Sequence, residues 1–208
     1  MTSLYLKIHP KNPEIRLINQ AAEIILNGGI VVYPTDTIYA LGCNIGDKGA
    51  LERIRRIRKL DENHYLTLLC NDLTSVGTYA KVGNSAFRTL KANTPGPYTF
   101  ILEATREVPK RLLNPKRKTI GLRISNSRII QALLHKLDAP IMTTSLLFPG
   151  DAEPFLDINE IRSRIGKMVD LIIDGGPNGR EHSTVVNLIG NIPEIVRLGK
   201  GDSRPFCN

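Results

Sequence analysis

Residues 30–42 read IVVYPTDTIYALG. Positions 30–33 are uninterrupted apolar and mostly β-branched. That is the composition of a strand buried on both faces, since a half-exposed strand would alternate. Thr35, Asp36 and Thr37 leave the end of that strand. Hydroxyls placed there point into the crevice where open α/β sheets bind ligands, so Thr35 and Thr37 are candidate partners for a small polar ligand. The alternative is a turn in which Asp36 and Thr37 satisfy nearby backbone groups.

Upstream, residues 4–8 read as a short strand, and Pro13 opens a helix with Ile15, Ile18, Ala22 and Ile25 on one face. Gly28 and Gly29 stop it. Downstream, residues 48–59 are helical in pattern, with Leu51, Ile54 and Ile57 inward and the arginines outward. Strands are expected at 66–70, 98–103, 119–124, 141–144 and 169–173, and helices at 86–93, 129–137 and 158–165. Residues 95–97 (PGP) force a turn, and a Pro-, Gly- and Asp-rich connection covers 148–157. Two closing strands fall at 183–188 and 193–197, and 201–208 reads as a tail. Strands and helices alternate and then strands double up. This predicts an α/β chain of the α+β type: a twisted mixed sheet with flanking helices, in one domain over 1–208.

A globule of 208 residues buries roughly 70% of its unfolded surface and needs no disulfide or metal staple. Cys43, Cys70 and Cys207 are widely spaced, with no C-x-x-C, as in a cytoplasmic protein with reduced thiols. No charged-then-apolar leader opens the sequence and no apolar run approaches membrane length, so neither a signal peptide nor a membrane partner is expected. The net charge of +8 favours anionic ligands or polyanions.

Several motifs are missing. There is no P-loop, no G-x-G-x-x-G after a strand, no G-x-S-x-G elbow, and no metal-ligand spacing among His9, His64, His135 and His182. No metal held by protein ligands is expected. The positive signals are hydroxyl runs and one arginine. Thr143, Thr144 and Ser145 follow a strand and could line a phosphate or carboxylate site. Arg123 lies on an otherwise apolar strand (TIGLRI), where a guanidinium needs either a ligand carboxylate or a structural ion pair. Ser183 and Thr184 precede the apolar pair Val185 and Val186, with Arg197 at the end of the next strand.

Basic residues cluster twice, as Arg53, Arg55, Arg56, Arg58 and Lys59, and as Arg106, Lys110, Arg111, Lys116, Arg117 and Lys118. Such clusters are solvated faces or a phosphate-backbone track. With few aromatics, shape-and-phosphate binding of structured RNA fits better than base stacking.

Taken in order, YPTDTIYALGC, TPGPYTFIL, TIGLRI, PIMTTS and HSTVVNL ending at Arg197 resemble the YrdC family, the threonylcarbamoyl-AMP synthases, over about residues 15–199. The resemblance implies a YrdC-like fold around a large basic cavity. It also implies use of L-threonine, bicarbonate and ATP with Mg2+, release of pyrophosphate, and a link to threonylcarbamoyladenosine (t6A) in tRNA. By position, Thr35, Arg123, Ser145 and Ser183 would hold L-threonine. Arg58, Thr119, Thr143 and Arg197 would contact the nucleotide, ATP or AMP. Arg53, Arg55, Arg56, Lys59, Lys116, Arg117 and Lys118 would face tRNA or double-stranded RNA. Two positions depart from the synthases. Their K-x-R reads Arg58-Lys59-Leu60 here, and their S-x-N reads Ser145-Leu146-Leu147. This pattern is similar to the YciO branch. Losing one transition-state donor typically costs about 100- to 1,000-fold in rate. Three alternatives stay open: an active synthase, an RNA-binding module without activity, or a hydrolytic enzyme acting on the adenylate or modified tRNA, with Asp36 or His182 as base.

Overall fold

The computed structural model describes residues 3–60, 64, 66–113, 118–148, 150–151, 153–190 and 192–207. The opening segment is a hairpin. Strands β2 (Val31–Tyr33) and β3 (Ala40–Asn44) pair antiparallel with Tyr33 opposite Ala40. The 34–39 segment is the loop between them. The sequence pattern does not announce β3, because Ala40, Gly42 and Asn44 lack the β-branched signature.

Eight further strands join this hairpin: β1 (Leu4–Lys7), β4 (Thr67–Leu69), β5 (Tyr98–Glu103), β6 (Thr119–Arg123), β7 (Ile141–Ser145), β8 (Leu171–Asp174), β9 (Thr184–Asn187) and β10 (Glu194–Arg197). All ten form one mixed sheet in the order β1-β8-β2-β3-β7-β4-β6-β5-β9-β10. The pairs β1/β8, β2/β8, β4/β6 and β5/β9 are parallel and the others antiparallel. The expected mixed sheet with flanking helices is what the chain forms.

The two faces are covered differently. On one, α2 (Lys48–Arg58), α3 (Leu73–Tyr79), α4 (Asn84–Asn93) and α6 (Ile158–Ile165) enclose a large core with Leu41, Leu68, Phe100, Leu122, Met142 and Val186. On the other, α1 (Ile15–Leu26) and α5 (Arg128–Leu137) pack on Val31, Tyr33, Ile141 and Ile173. These two helices cover the β1, β8, β2 and β3 part of that face and reach the Leu69 and Ile141 ends of β4 and β7. The rest of that face, from Thr143 on β7 across to β10, stays open, and the polar side chains lie there. Cys43 and Cys70 are buried, and burial pushes both thiols up to about 12, which keeps them protonated. No helix among the described residues is long and apolar enough to cross a membrane.

Three expectations need correction, and one helix is not announced by the sequence pattern. Ile15 is 78% exposed; the buried stripe of α1 is Ile18, Ala21, Ala22 and Ile25, so its centre turns away from Ile15. Helix α3 carries too few apolar residues to stand out by period. Arg58 does not point outward: it lies four residues after Ile54 and seven after Leu51, on their stripe, and is only 9% exposed. Finally, the C-terminal segment is no loose tail. Phe206 is buried against Tyr98 and Phe100, with ring centroids 5.5 and 6.2 Å apart.

Candidate functional site

The open half of the sheet floors a cavity of about 710 Å3. Its floor is made of small side chains in register. Thr143 stands opposite both Gly42 and Thr67, and Gly121 opposite both Thr67 and Ile101. A Cβ at Gly121 would meet Thr67 Oγ1 at 2.8 Å and Thr99 Cγ2 at 3.3 Å. At Gly42 a Cβ would meet Tyr33 Oη at 2.5 Å. The bare glycine lets Tyr33 reach across and donate to Thr143 Oγ1 at 2.7 Å. Burial pushes the Tyr33 hydroxyl well above its ordinary pKa despite that bond, so it remains a donor.

The hairpin loop forms one wall. Thr35 Oγ1 lies 3.0 Å from Thr37 Oγ1, donates to the Ile38 carbonyl at 2.7 Å and accepts from the Thr37 amide at 3.0 Å. The loop is a locally satisfied turn, but it is Thr35, not Asp36 or Thr37, whose side chain meets nearby backbone groups, and both threonines line the cavity. Arg123 makes the structural ion pair of its two alternatives. It lines the cavity and donates from Nη2 to Asp36 Oδ1 at 2.7 Å and to Thr37 Oγ1 at 2.9 Å. Ser125 makes a second bond to Asp36 Oδ1, and Lys200 Nζ reaches the Asp36 carbonyl at 2.6 Å. Arg123 Nε and Asp36 Oδ2 are buried without a hydrogen-bond partner among the described residues.

The opposite wall comes from the β9–β10 side. Ser183 Oγ and Thr99 Oγ1 are 2.8 Å apart, and Arg197 donates to the Ser183 carbonyl at 2.9 Å. His182, Arg58, Ser145 and Leu147 also line it, with a second histidine, His64. Burial lowers the pKa of Arg58, with Asp151 opposing, and lowers that of Arg197, with Arg123 adding to it. Burial first, then Arg197 and Arg58, holds His182 below its ordinary value of 6.5, so its imidazole is neutral at pH 7. His182 Nδ1 and Arg58 Nε have no partner among the described residues.

Of the residues singled out in the sequence, Thr35, Arg58, Arg123, Thr143, Ser145, Ser183 and Arg197 line this one cavity. Thr119 does not: it is 2% exposed, two residues before Gly121 on β6, with Oγ1 unpartnered among the described residues. The basic cluster on α2 divides. Arg53 pairs with Asp170 at 2.9 Å and Arg55 donates to the Arg111 carbonyl at 2.9 Å, while Arg56, Lys59 and Lys118 are exposed. Lys116 and Arg117 lie outside the described residues. Lys59 caps α2 in the left-handed region (φ 49°) and is exposed where Arg58 is buried. Leu60 packs against the large core. Thr67, Thr99 and Lys200 were not foreseen; only the strand register, which brings distant short strands together, could have found the first two.

Comparison with known proteins agrees with this fold. The family model Sua5/YciO/YrdC, described as "Telomere recombination", matches residues 23–199. The YciO protein of Escherichia coli (strain K12) is 54% identical over 204 residues, 98% of this chain and 99% of that one. Its crystal structure superposes with a TM-score of 0.95, covering 99% of this chain and 100% of that chain. The P. abyssi Sua5 structure complexed with L-threonine has a TM-score of 0.87 at 26% identity, over 95% of this chain and 58% of that one. The threonylcarbamoyl-AMP synthase of Photobacterium profundum is 23% identical over 172 residues, 81% of this chain and 92% of that one. With its fold, its ordered motifs and these relatives in agreement, the chain belongs to the Sua5/YciO/YrdC family.

Proposed function

We propose that the cavity binds L-threonine, or the threonyl end of a threonylcarbamoyl group, together with an adenine nucleotide, and that synthesis of threonylcarbamoyl-AMP here is slow. The observation that carries this is the cavity's charge. Three guanidiniums face one space, and among the described residues only Arg123 has a carboxylate partner. Cations held this way call for anionic ligands. Arg123 would take the threonine carboxylate, with Thr35, Ser145 and Ser183 around it. Arg58, Thr143 and Arg197 would take phosphate. The P. abyssi relative with bound L-threonine supports the first half.

Slow synthesis follows from Leu147. It is a lining residue, so an apolar side chain meets the ligand where the synthases have an amide. In the reaction the family resemblance implies, a carbamate oxygen attacks the α-phosphate and pyrophosphate leaves. Catalysis is then positioning and charge neutralisation, and a missing donor acts directly on the rate. Magnesium would come with the triphosphate, because the described His, Cys, Asp and Glu residues form no group of three suited to a metal ion. Exposed Arg56, Lys59 and Lys118 would serve tRNA or double-stranded RNA through phosphate contacts.

The test is incubation of the protein with ATP, labelled L-threonine and bicarbonate, following pyrophosphate and adenylate. Wild type should bind threonine and release little pyrophosphate. Leu147→Asn should raise the rate by about tenfold or more. An unchanged rate in this variant would show that Leu147 does not limit synthesis.

A second reading rests on His182. A neutral imidazole in the cavity wall suits a general base. It would activate water against an adenylate or a modified tRNA. Loss of the modified base without ATP, abolished by His182→Gln, would establish it.

A further inference from the structure

The three guanidiniums of the cavity are not equivalent. Arg123 is neutralised by Asp36 at 2.7 Å, and both side chains are well buried, 9% and 14% exposed. Arg58 and Arg197 form no ion pair among the described residues. Asp36 does not obstruct the main cavity, because it faces a smaller one of about 270 Å3 behind the loop. Its charge therefore acts across the Arg123 guanidinium. Its position is fixed from several sides: Ser125 and Arg123 share Oδ1, and Lys200 holds its carbonyl.

We infer that Asp36 sorts anions within the cavity, cancelling the charge of Arg123 so that this subsite accepts a monoanionic carboxylate and repels phosphate, while Arg58 and Arg197 keep their charge for phosphate. The inference rests on the ligand assignment proposed above. A phosphate dianion at Arg123 would feel twice the repulsion from Asp36 that a carboxylate feels. An amino-acid zwitterion has no net charge and loses least. Buried charges are weakly screened, so a difference of one charge decides the outcome. Asp36 is in this sense a positioning residue that sets specificity through Arg123. Without it the cavity would present three equivalent cations, and phosphates could occupy the amino-acid subsite.

The full-length protein is titrated by calorimetry with inorganic pyrophosphate, without magnesium, and with L-threonine, each alone and in competition. In wild type, pyrophosphate should bind once and leave threonine affinity unchanged. Asp36→Asn keeps the shape and an acceptor oxygen but removes the charge. It should bind pyrophosphate about tenfold more tightly at low salt and make the two ligands compete. Asp36→Glu should restore exclusion. Asp36→Ser, neutral and smaller, should behave as the Asn variant does and replaces it if that variant fails to fold. Pyrophosphate binding unchanged in both neutral variants overturns the inference, as does a parallel loss of both ligands, which would mark a purely structural residue. The pyrophosphate arm stands apart from the amino acid. Tighter pyrophosphate binding in the neutral variants, with no threonine binding in wild type, would uphold the sorting and refute threonine as the ligand.

Discussion

Arg58 and Gly121 show how single residues make the cavity. Arg58 ends an amphipathic helix on its apolar stripe, so helical period alone carries a guanidinium inward. Gly121 does the reverse and leaves a gap in a strand otherwise filled by Ile120, Leu122 and Arg123. A Cβ there would press on Thr67 Oγ1 at 2.8 Å and on the Leu66 carbonyl at 3.2 Å. The sheet cannot yield on the backbone side, so a larger side chain must rise into the cavity. Gly121→Val is expected to cost about 1–3 kcal/mol of stability. It should also reduce binding of threonine and nucleotide by tenfold or more. Chemical denaturation and calorimetry separate the two effects, and full binding in the variant would place the ligand elsewhere. The sequence offered a warning about the site's residues. Arg123 on an apolar strand and hydroxyls at strand ends were legible because a polar group in an apolar run needs a reason. Thr67 and Thr99 carried no such signal, since threonine is an ordinary strand residue.

At the level of elements, the strands and helices with continuous apolar runs or strong period were legible, and those held by tertiary contacts were not. Strand β3 is built from ALGCN and exists because β7 pairs with all of it and β2 with Ala40, Leu41 and Gly42. The C-terminal segment is the clearest case. Its residues look polar and irregular, yet Phe206 sits edge-on to Tyr98 and Phe100, while Gly201 lies against the Tyr98 ring where a Cβ would approach within 2.3 Å. Tyr98 and Phe100 are on β5, the strand that carries Thr99 into the cavity. The segment therefore braces the cavity floor from behind. Phe206→Ala should remove roughly 3 kcal/mol or more. The midpoint of denaturant unfolding should fall with little change in slope. A loss below about 0.5 kcal/mol, the ordinary size of a surface substitution, would mean that the segment is only draped on the sheet.

Across the whole molecule, a net charge of +8 is gathered partly around one cavity, and His182 reports its state. Burial is the largest cause of its lowered pKa, followed by Arg197 and then Arg58. An anion held between those two guanidiniums removes the second and third causes and leaves the first. The pKa of His182 then rises, and binding takes up a proton wherever the free imidazole is neutral. The same linkage bears on folding. Because the folded value lies below the unfolded 6.5, the unfolded chain binds more protons in the interval between them. Stability is thus intact above about 6.5 and falls as the pH drops through that interval. Sulfate is the suitable probe, since it does not titrate near neutrality. Calorimetry at about pH 6 in two buffers of different ionisation enthalpy should show a fractional proton taken up per sulfate in wild type and none in His182→Gln. The variant should also lose less stability than wild type between about pH 7 and 5. Proton uptake that persists in His182→Gln would mean that another group reads the charge of this cavity.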